Sequence, residues 1–308
     1  MKRATRESYG ATLVELGKER EDIVVLEADL SKATKSEMFA KAFPDKFINV
    51  GIAEQNMVGM AAGLASTGKV PFTTTFAVFA AGRAFEVIRN SVCYPKANVK
   101  IAATHAGITV GPDGGSHQAI EDIALMCSLP NMIVLSPADD IEACKCVKAA
   151  AEVDGPVYLR FGRIPLDDIY TDEYDFQIGK GSELVKGDDV AIISTGIMVH
   201  KALKAASELK EDGINARVIN MATIKPIDEE IIIRAAKETK GIVTVEEHSI
   251  IGGLGDRVSA VVCENAPTVV KKIGVKDVFG ESGNPDALLK KHGLTIENIK
   301  ETVKNIVR

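Results

Sequence analysis

The feature that most constrains this chain is an alternation repeated along its length. Short apolar runs of strand type are followed by segments of helical periodicity. Residues 23–26, 47–52, 70–76, 98–104, 132–135 and 157–161 read as strands. Helices are expected over 5–20 and 36–43, from 57 to 65, through 81–89, after the loop at 105–118, and from Asp139 to about 154. Strands that alternate with helices predict a largely parallel sheet covered on both faces. A second, smaller round follows, with strands at 190–194, 216–220, 242–246 and 269–273 and helices between and after them. Residues 166–189 are rich in acids, glycine and tyrosine and show little periodicity; they read as a linker with one short edge strand. The expected fold is α/β: two three-layer α/β/α domains, 1–170 and 189–308, joined by a linker at 171–188. A length of 308 residues fits two domains.

Composition narrows the function classes. The net charge is −6 without a basic block, which gives no support to a nucleic-acid or membrane-surface role. No apolar run approaches a membrane span, and MKRATRESYG lacks the apolar core of a secretory signal. Five cysteines in apolar or helical contexts read as reduced thiols of a cytoplasmic protein. Cys144 and Cys146 lie two apart, the wrong spacing for one helix face, so no metal clip is expected there.

In open α/β sheets ligands bind beyond the carboxyl ends of the strands. Glu54 sits where the strand 47–52 is expected to run into a helix, with no basic residue beside it in sequence. Burial raises a carboxyl pKa, which makes Glu54 a candidate proton carrier. Capping the first helical turn is the plainer account from spacing alone. The loop 105–118 is the densest polar cluster, with His105, Asp113 and His117 among glycines. The twelve-residue separation of its histidines fits no usual metal spacing, so no metal ligands are assigned. Phe76 and Phe79 are three apart and, alone, are best explained as core. Asp29 and Ser31 follow the first strand, where capping is an alternative. Arg160 and Arg163 offer bidentate recognition of phosphate, or a surface salt bridge. Gly252, Gly253 and Gly255 imitate part of a dinucleotide fingerprint but lack its third glycine and its acidic residue, so no nucleotide is expected there.

Ile52-Ala53-Glu54-Gln55-Asn56 resembles the motif of thiamine-diphosphate enzymes of the transketolase family, in their pyrimidine-binding domain. The loop His105 to Gln118 resembles the stretch in which that family contacts its donor sugar. The resemblance implies that Glu54 hydrogen-bonds the cofactor's aminopyrimidine and favours the tautomer that removes the thiazolium proton. It implies Phe76 and Phe79 as stacking rings, with Thr73 where the family often has a third aromatic, and Asp29 near the cofactor. His105, Asp113 and His117 become substrate contacts, with His117 and His105 counted beside Glu54 as catalytic; imidazole titrates near neutrality and suits proton transfer. Ser31 and one of Arg160 and Arg163 become contacts to a sugar phosphate.

The resemblance covers the chain but only the back half of a full-length transketolase. The Gly-Asp-Gly motif and following Asn that hold the diphosphate and its Mg²⁺ or Ca²⁺ are not found. The implied protein is therefore the beta-type subunit of a split transketolase of the pentose phosphate pathway. A partner chain would bring the diphosphate site, in an α2β2 assembly acting on sugar phosphates. The alternatives are a 1-deoxy-D-xylulose-5-phosphate synthase, the beta subunit of a 2-oxo acid dehydrogenase, and a non-catalytic scaffold of the same fold.

Overall fold

The computed structural model describes residues 2–308. Seven strands form the first sheet: β1 (Ile23–Glu27), β2 (Phe47–Asn49), β3 (Val70–Phe76), β4 (Lys100–Thr104), β5 (Ile133–Leu135), β6 (Val157–Arg160) and β10 (Thr223–Lys225). Their order is β10-β5-β6-β4-β3-β1-β2. All pairings are parallel except β10 with β5. The remaining strands, β7 (Ser182–Val185), β8 (Val190–Ser194), β9 (Ala216–Asn220), β11 (Gly241–Ser249) and β12 (Val269–Val275), form a second sheet of order β12-β11-β8-β9-β7. Only its edge strand β7 runs antiparallel. Strands β1, β3, β4, β6, β8 and β9 are buried at every position, as strands covered on both faces must be.

One face of the first sheet carries the helices Thr5–Glu19 and Asp140–Glu152, through Tyr9, Leu13, Leu16, Ala143 and Val147. The other carries Glu54–Ala65, the turns from Phe79 to Cys93 and Asp122–Cys127. That second face is continuous with one face of the second sheet, through Ile193, Ile219, Ile224, Ile232 and Leu254. The helices Met198–Glu211, Pro285–Lys291 and Ile296–Val307 cover the far side.

Two local expectations differ. The strand at 47–52 is shorter and is not buried: β2 is a half-exposed edge strand, and Ile52 is 77% exposed. Asn49 Oδ1 accepts the Gly51 N–H at 2.9 Å and Gly51 takes φ 75°, so the chain turns out of the sheet before Glu54. The stretch 79–93 is not one regular helix. It holds widened turns, with Ala84 N–H reaching the Phe79 carbonyl and Tyr94 N–H the Arg89 carbonyl. The short edge strand expected within 166–189 is β7, the antiparallel edge of the second sheet. β10 was not expected at all: three residues of the second half complete the edge of the first sheet.

Candidate active site

β3 and β4 are neighbours in register, with Phe76 beside Thr104. The residues that leave their carboxyl ends therefore emerge together. His105 follows β4 in a left-handed conformation, φ 57°, and this turns the loop across the end of β3. Its ring stacks on Phe76 with centroids 3.9 Å apart. Phe76 in turn lies parallel to Phe79, at 6.0 Å and 8°. The far end of the loop returns, so that His117 meets both rings edge-on, at 6.2 Å and 5.4 Å. Two histidines twelve positions apart thus share one aromatic pair.

Glu54 opens the helix Glu54–Ala65 and is 2% exposed. It is not the lone carboxylate its sequence neighbours imply. Arg83 Nη1 donates to both of its oxygens, at 3.0 and 2.9 Å. The Arg83 guanidinium also lies over the Phe79 ring, 4.6 Å from its centroid. Glu54 is thereby linked through Arg83 to the stacked rings. Arg83 comes from a segment read only as helix, and an i-to-i+29 contact leaves no local signal.

His105 stands among cations. Arg6 Nη1 is 3.4 Å from its Nε2, and Thr104 Oγ1 is 2.9 Å from its Nδ1. A guanidinium only donates, so Nε2 is the acceptor and Nδ1 carries the proton. Burial, then the charges of Arg6, Arg163 and His117, push the His105 pKa down to about 3. This favours the neutral imidazole of His105 at physiological pH. His117 is half-exposed, with Nδ1 2.9 Å from the Ser116 hydroxyl.

Arg6 was missed by sequence reasoning. It lies inside a helix of ordinary appearance, yet it is held at the site by a 2.6 Å bond to the Ala33 carbonyl, and its Nε is buried without a partner. Burial, with Arg163 adding to it, lowers the pKa of Arg6. Arg163 Nη1 donates to Asp113 Oδ2 at 3.2 Å and to the Val110 carbonyl. Arg6, Arg163, Asp113 and His105 thus form one polar cluster beside the rings.

Arg160 does not join it. Its guanidinium is 6% exposed and holds Asp122 through Nε at 2.8 Å and Nη2 at 3.2 Å. Nη2 also donates to the Glu247 carbonyl at 2.9 Å. Nε and Nη2 are both engaged behind the loop, and of the two arginines proposed for phosphate Arg163 is the one that faces the cluster. Asp29 is exposed, with φ 63° and a 3.4 Å contact from Asn49. The buried acid of that stretch is Glu27, whose carboxylate accepts the Leu30 N–H and whose pKa burial raises to about 7. Ser31 starts the turn Ser31–Thr34, whose Ala33 carbonyl anchors Arg6.

The glycine tract of the second domain has a structural cause. Glu246 accepts the N–H groups of Leu254 and Gly255 at 2.7 and 2.8 Å, filling the start of the helix Leu254–Asn265 with its own carboxylate. A Cβ at Gly253 would collide with Glu246. Among the described residues, no group of three or more His, Cys, Asp or Glu side chains is arranged to hold a metal ion, and no helix is long and apolar enough to cross a membrane.

Comparison with known proteins agrees with this geometry. The family profile of the transketolase pyrimidine binding domain matches residues 1–167, and that of the transketolase C-terminal domain matches 179–299. A putative transketolase C-terminal section of Methanocaldococcus jannaschii is 54% identical over 301 residues, 97% of this chain and 94% of that protein. Transketolase of Mus musculus is 40% identical over 308 residues, 99% of this chain but 49% of its own length. A solved split gene transketolase, in an inactive beta4 tetramer, superposes with a TM-score of 0.91 at 55% identity, over 99% of this chain and 98% of the other. The chain belongs to the transketolase family and is its C-terminal section, the part a split transketolase carries as a separate beta chain.

Proposed function

We propose that this chain is the beta-type half of a two-chain transketolase. It would transfer a two-carbon ketol unit from a ketose phosphate to an aldose phosphate, and only with a partner chain. One observation carries the reading. The buried Glu54 carboxylate, the parallel Phe76 and Phe79 rings and the two loop histidines share one end of the sheet with the guanidiniums of Arg6, Arg83 and Arg163. A planar heteroaromatic ring with polar nitrogens, such as the aminopyrimidine of thiamine diphosphate, fits a carboxylate beside stacked rings. When bound, thiamine diphosphate supplies an electron sink that the protein lacks.

The chain's own residues would then divide the work. Glu54 would accept a hydrogen bond from a pyrimidine nitrogen, and Phe76 and Phe79 would fix the ring plane, which matters more for reactivity than the modest stacking energy. His117, half-exposed at the mouth, would move a proton to or from a sugar oxygen. His105, neutral, would accept a hydroxyl through Nε2. Asp113 would bind a donor hydroxyl, and Arg163 with Arg6 and Ser31 would receive the terminal phosphate as a bidentate anion site. Asp29 would lie at the cofactor side of the mouth. The diphosphate and its Mg²⁺ or Ca²⁺ fall to the partner in this proposal, within an α2β2 assembly of the cytoplasm. The inactivity of the solved beta4 neighbour supports a requirement for a second chain.

The test is reconstitution. The chain is mixed with a diphosphate-binding transketolase half, thiamine diphosphate and Mg²⁺, and two-carbon transfer from xylulose 5-phosphate to ribose 5-phosphate is followed. Activity of the mixture and none of either chain alone is the expected result. Full activity of the isolated chain, or none of any mixture, would overturn the proposal.

A further inference from the structure

A glycine-rich loop is a poor platform for chemistry unless something immobilises it. Gly107, Gly111 and Gly114 all have positive φ, and Gly115 follows. Such a segment loses more conformational entropy on ordering than most. Asp113 and His117 sit on it, and the first domain holds it through Arg163, which bonds Val110 and Asp113, and through the packing of His117 on Phe76 and Phe79. The second domain supplies the rest.

At the base of the loop, Glu247 of β11 accepts the Thr109 N–H at 2.6 Å. The same carboxylate lies against Gly107, where a Cβ would collide with it. At the tip, a second glycine-bearing segment, residues 280–285, interlocks with the first. A Cβ at Gly114 would stand 2.5 Å from Ser282 Oγ, and one at Gly115 would stand 2.5 Å from the Gly280 carbonyl. Pro285 packs against Gly111, and the Gly283 N–H reaches the Gly111 carbonyl at 3.4 Å. Gln118 closes the arrangement. It is 3% exposed, and its Nε2 donates both to Ile108 within the loop, at 3.1 Å, and to the Glu281 carbonyl of the second domain, at 2.9 Å. A methyl at Gly280 would overlap the Gln118 amide. Gly115 faces backbone, the Gly280 carbonyl, while Gly107, Gly114 and Gly280 face the side chains of Glu247, Ser282 and Gln118, and none of these approaches leaves room for a Cβ.

We infer that the second domain acts as a clamp on the loop bearing Asp113 and His117, and that Gln118 and Gly280 are positioning residues for donor binding. This rests on the functional reading above. The domain contributes no reacting group to the site; its contribution is the fixed geometry of groups carried by the first domain.

Two variants test it. Gln118→Met keeps volume and removes both donated bonds. Gly280→Ala keeps both bonds' chemistry and forces the segments apart. Amide hydrogen exchange on the full chain is the readout that needs no activity. Loosening this contact should raise exchange across 107–118 by about tenfold, with β4 and β8 still protected. In the reconstituted pair the donor KM should rise about tenfold while kcat changes less than about threefold, because binding geometry is lost and the reacting groups remain. Unchanged loop exchange, acceleration spread through both sheets, or a loss confined to kcat would each overturn the clamp. A wild-type pair without two-carbon transfer would defeat the functional reading instead, and the exchange result would still decide the clamp.

Discussion

The chain contains two arginine–carboxylate pairs that look alike on paper and behave as opposites. Asp122 and Arg160 are 0% and 6% exposed and bond bidentately in the interior. Burial pushes the Asp122 carboxyl up, but Arg160, His248 and the Tyr158 hydroxyl outweigh it and hold it below the usual carboxylate range. Glu54 is equally buried, yet its partner Arg83 is 49% exposed and covers an aromatic ring at the open end of the sheet. The first pair is shut away from solvent and ties the two domains together through the Glu247 carbonyl. The second leaves one partner in solvent, next to rings and histidines. A buried carboxylate becomes available for chemistry when its counter-ion can move, and solvent exposure of the counter-ion is what distinguishes the cases.

The largest effect that could break this comparison is on turnover. Glu54→Gln in the reconstituted pair should lower two-carbon transfer by on the order of 10²–10⁴, the range of a general acid–base contribution. The fold should persist, as circular dichroism would show. Turnover close to wild type would remove Glu54 from the mechanism. Stability separates the pairs next. Asp122→Asn leaves a buried guanidinium unpaired and should destabilise the chain by about 3–5 kcal/mol, whereas Glu54→Gln leaves a guanidinium that is half in water and should cost about 1 kcal/mol or less. Denaturant unfolding of both variants checks this; equal losses would erase the distinction.

The smallest effect is a pH dependence. An imidazole in an unfolded chain titrates near 6.5, and in the folded chain His105 is held down at about 3. Between those values the unfolded chain binds a proton that the folded chain refuses. The stabilisation from His105 is therefore complete above about pH 6.5 and shrinks as pH falls through that window. Nitrogen-15 NMR should show the His105 ring neutral at pH 5. An imidazolium there would mean that Arg6 and Arg163 are not beside it.

Much of this was legible in the residues. The alternation of β-branched runs with helical periodicity placed ten of the twelve strands, six of them buried at every position. The Glu54 motif and the loop 105–118 were visible since both lie just beyond strand ends. Other features were hidden for identifiable reasons. β10 is three residues long and exists only because β5 offers it a free edge. Arg6 and Arg83 sit in helical segments whose periodicity describes packing, not the function of an outward-facing cation. Arg160 and Arg163 differ by three positions, and no local rule says which is drawn into the interior by Asp122.

The sequence by itself determined the layered α/β architecture, the family, and the short list of polar groups available at the strand ends, because period and composition are local properties. Only the tertiary structure decided which of those groups meet. Glu54 gained Arg83, burial and neighbouring cations hold His105 in its neutral form, Arg160 was withdrawn behind the loop, and the loop itself was fixed by a segment more than 160 residues away. Those outcomes depend on burial and on long-range contact, and neither is written in any stretch of neighbouring residues.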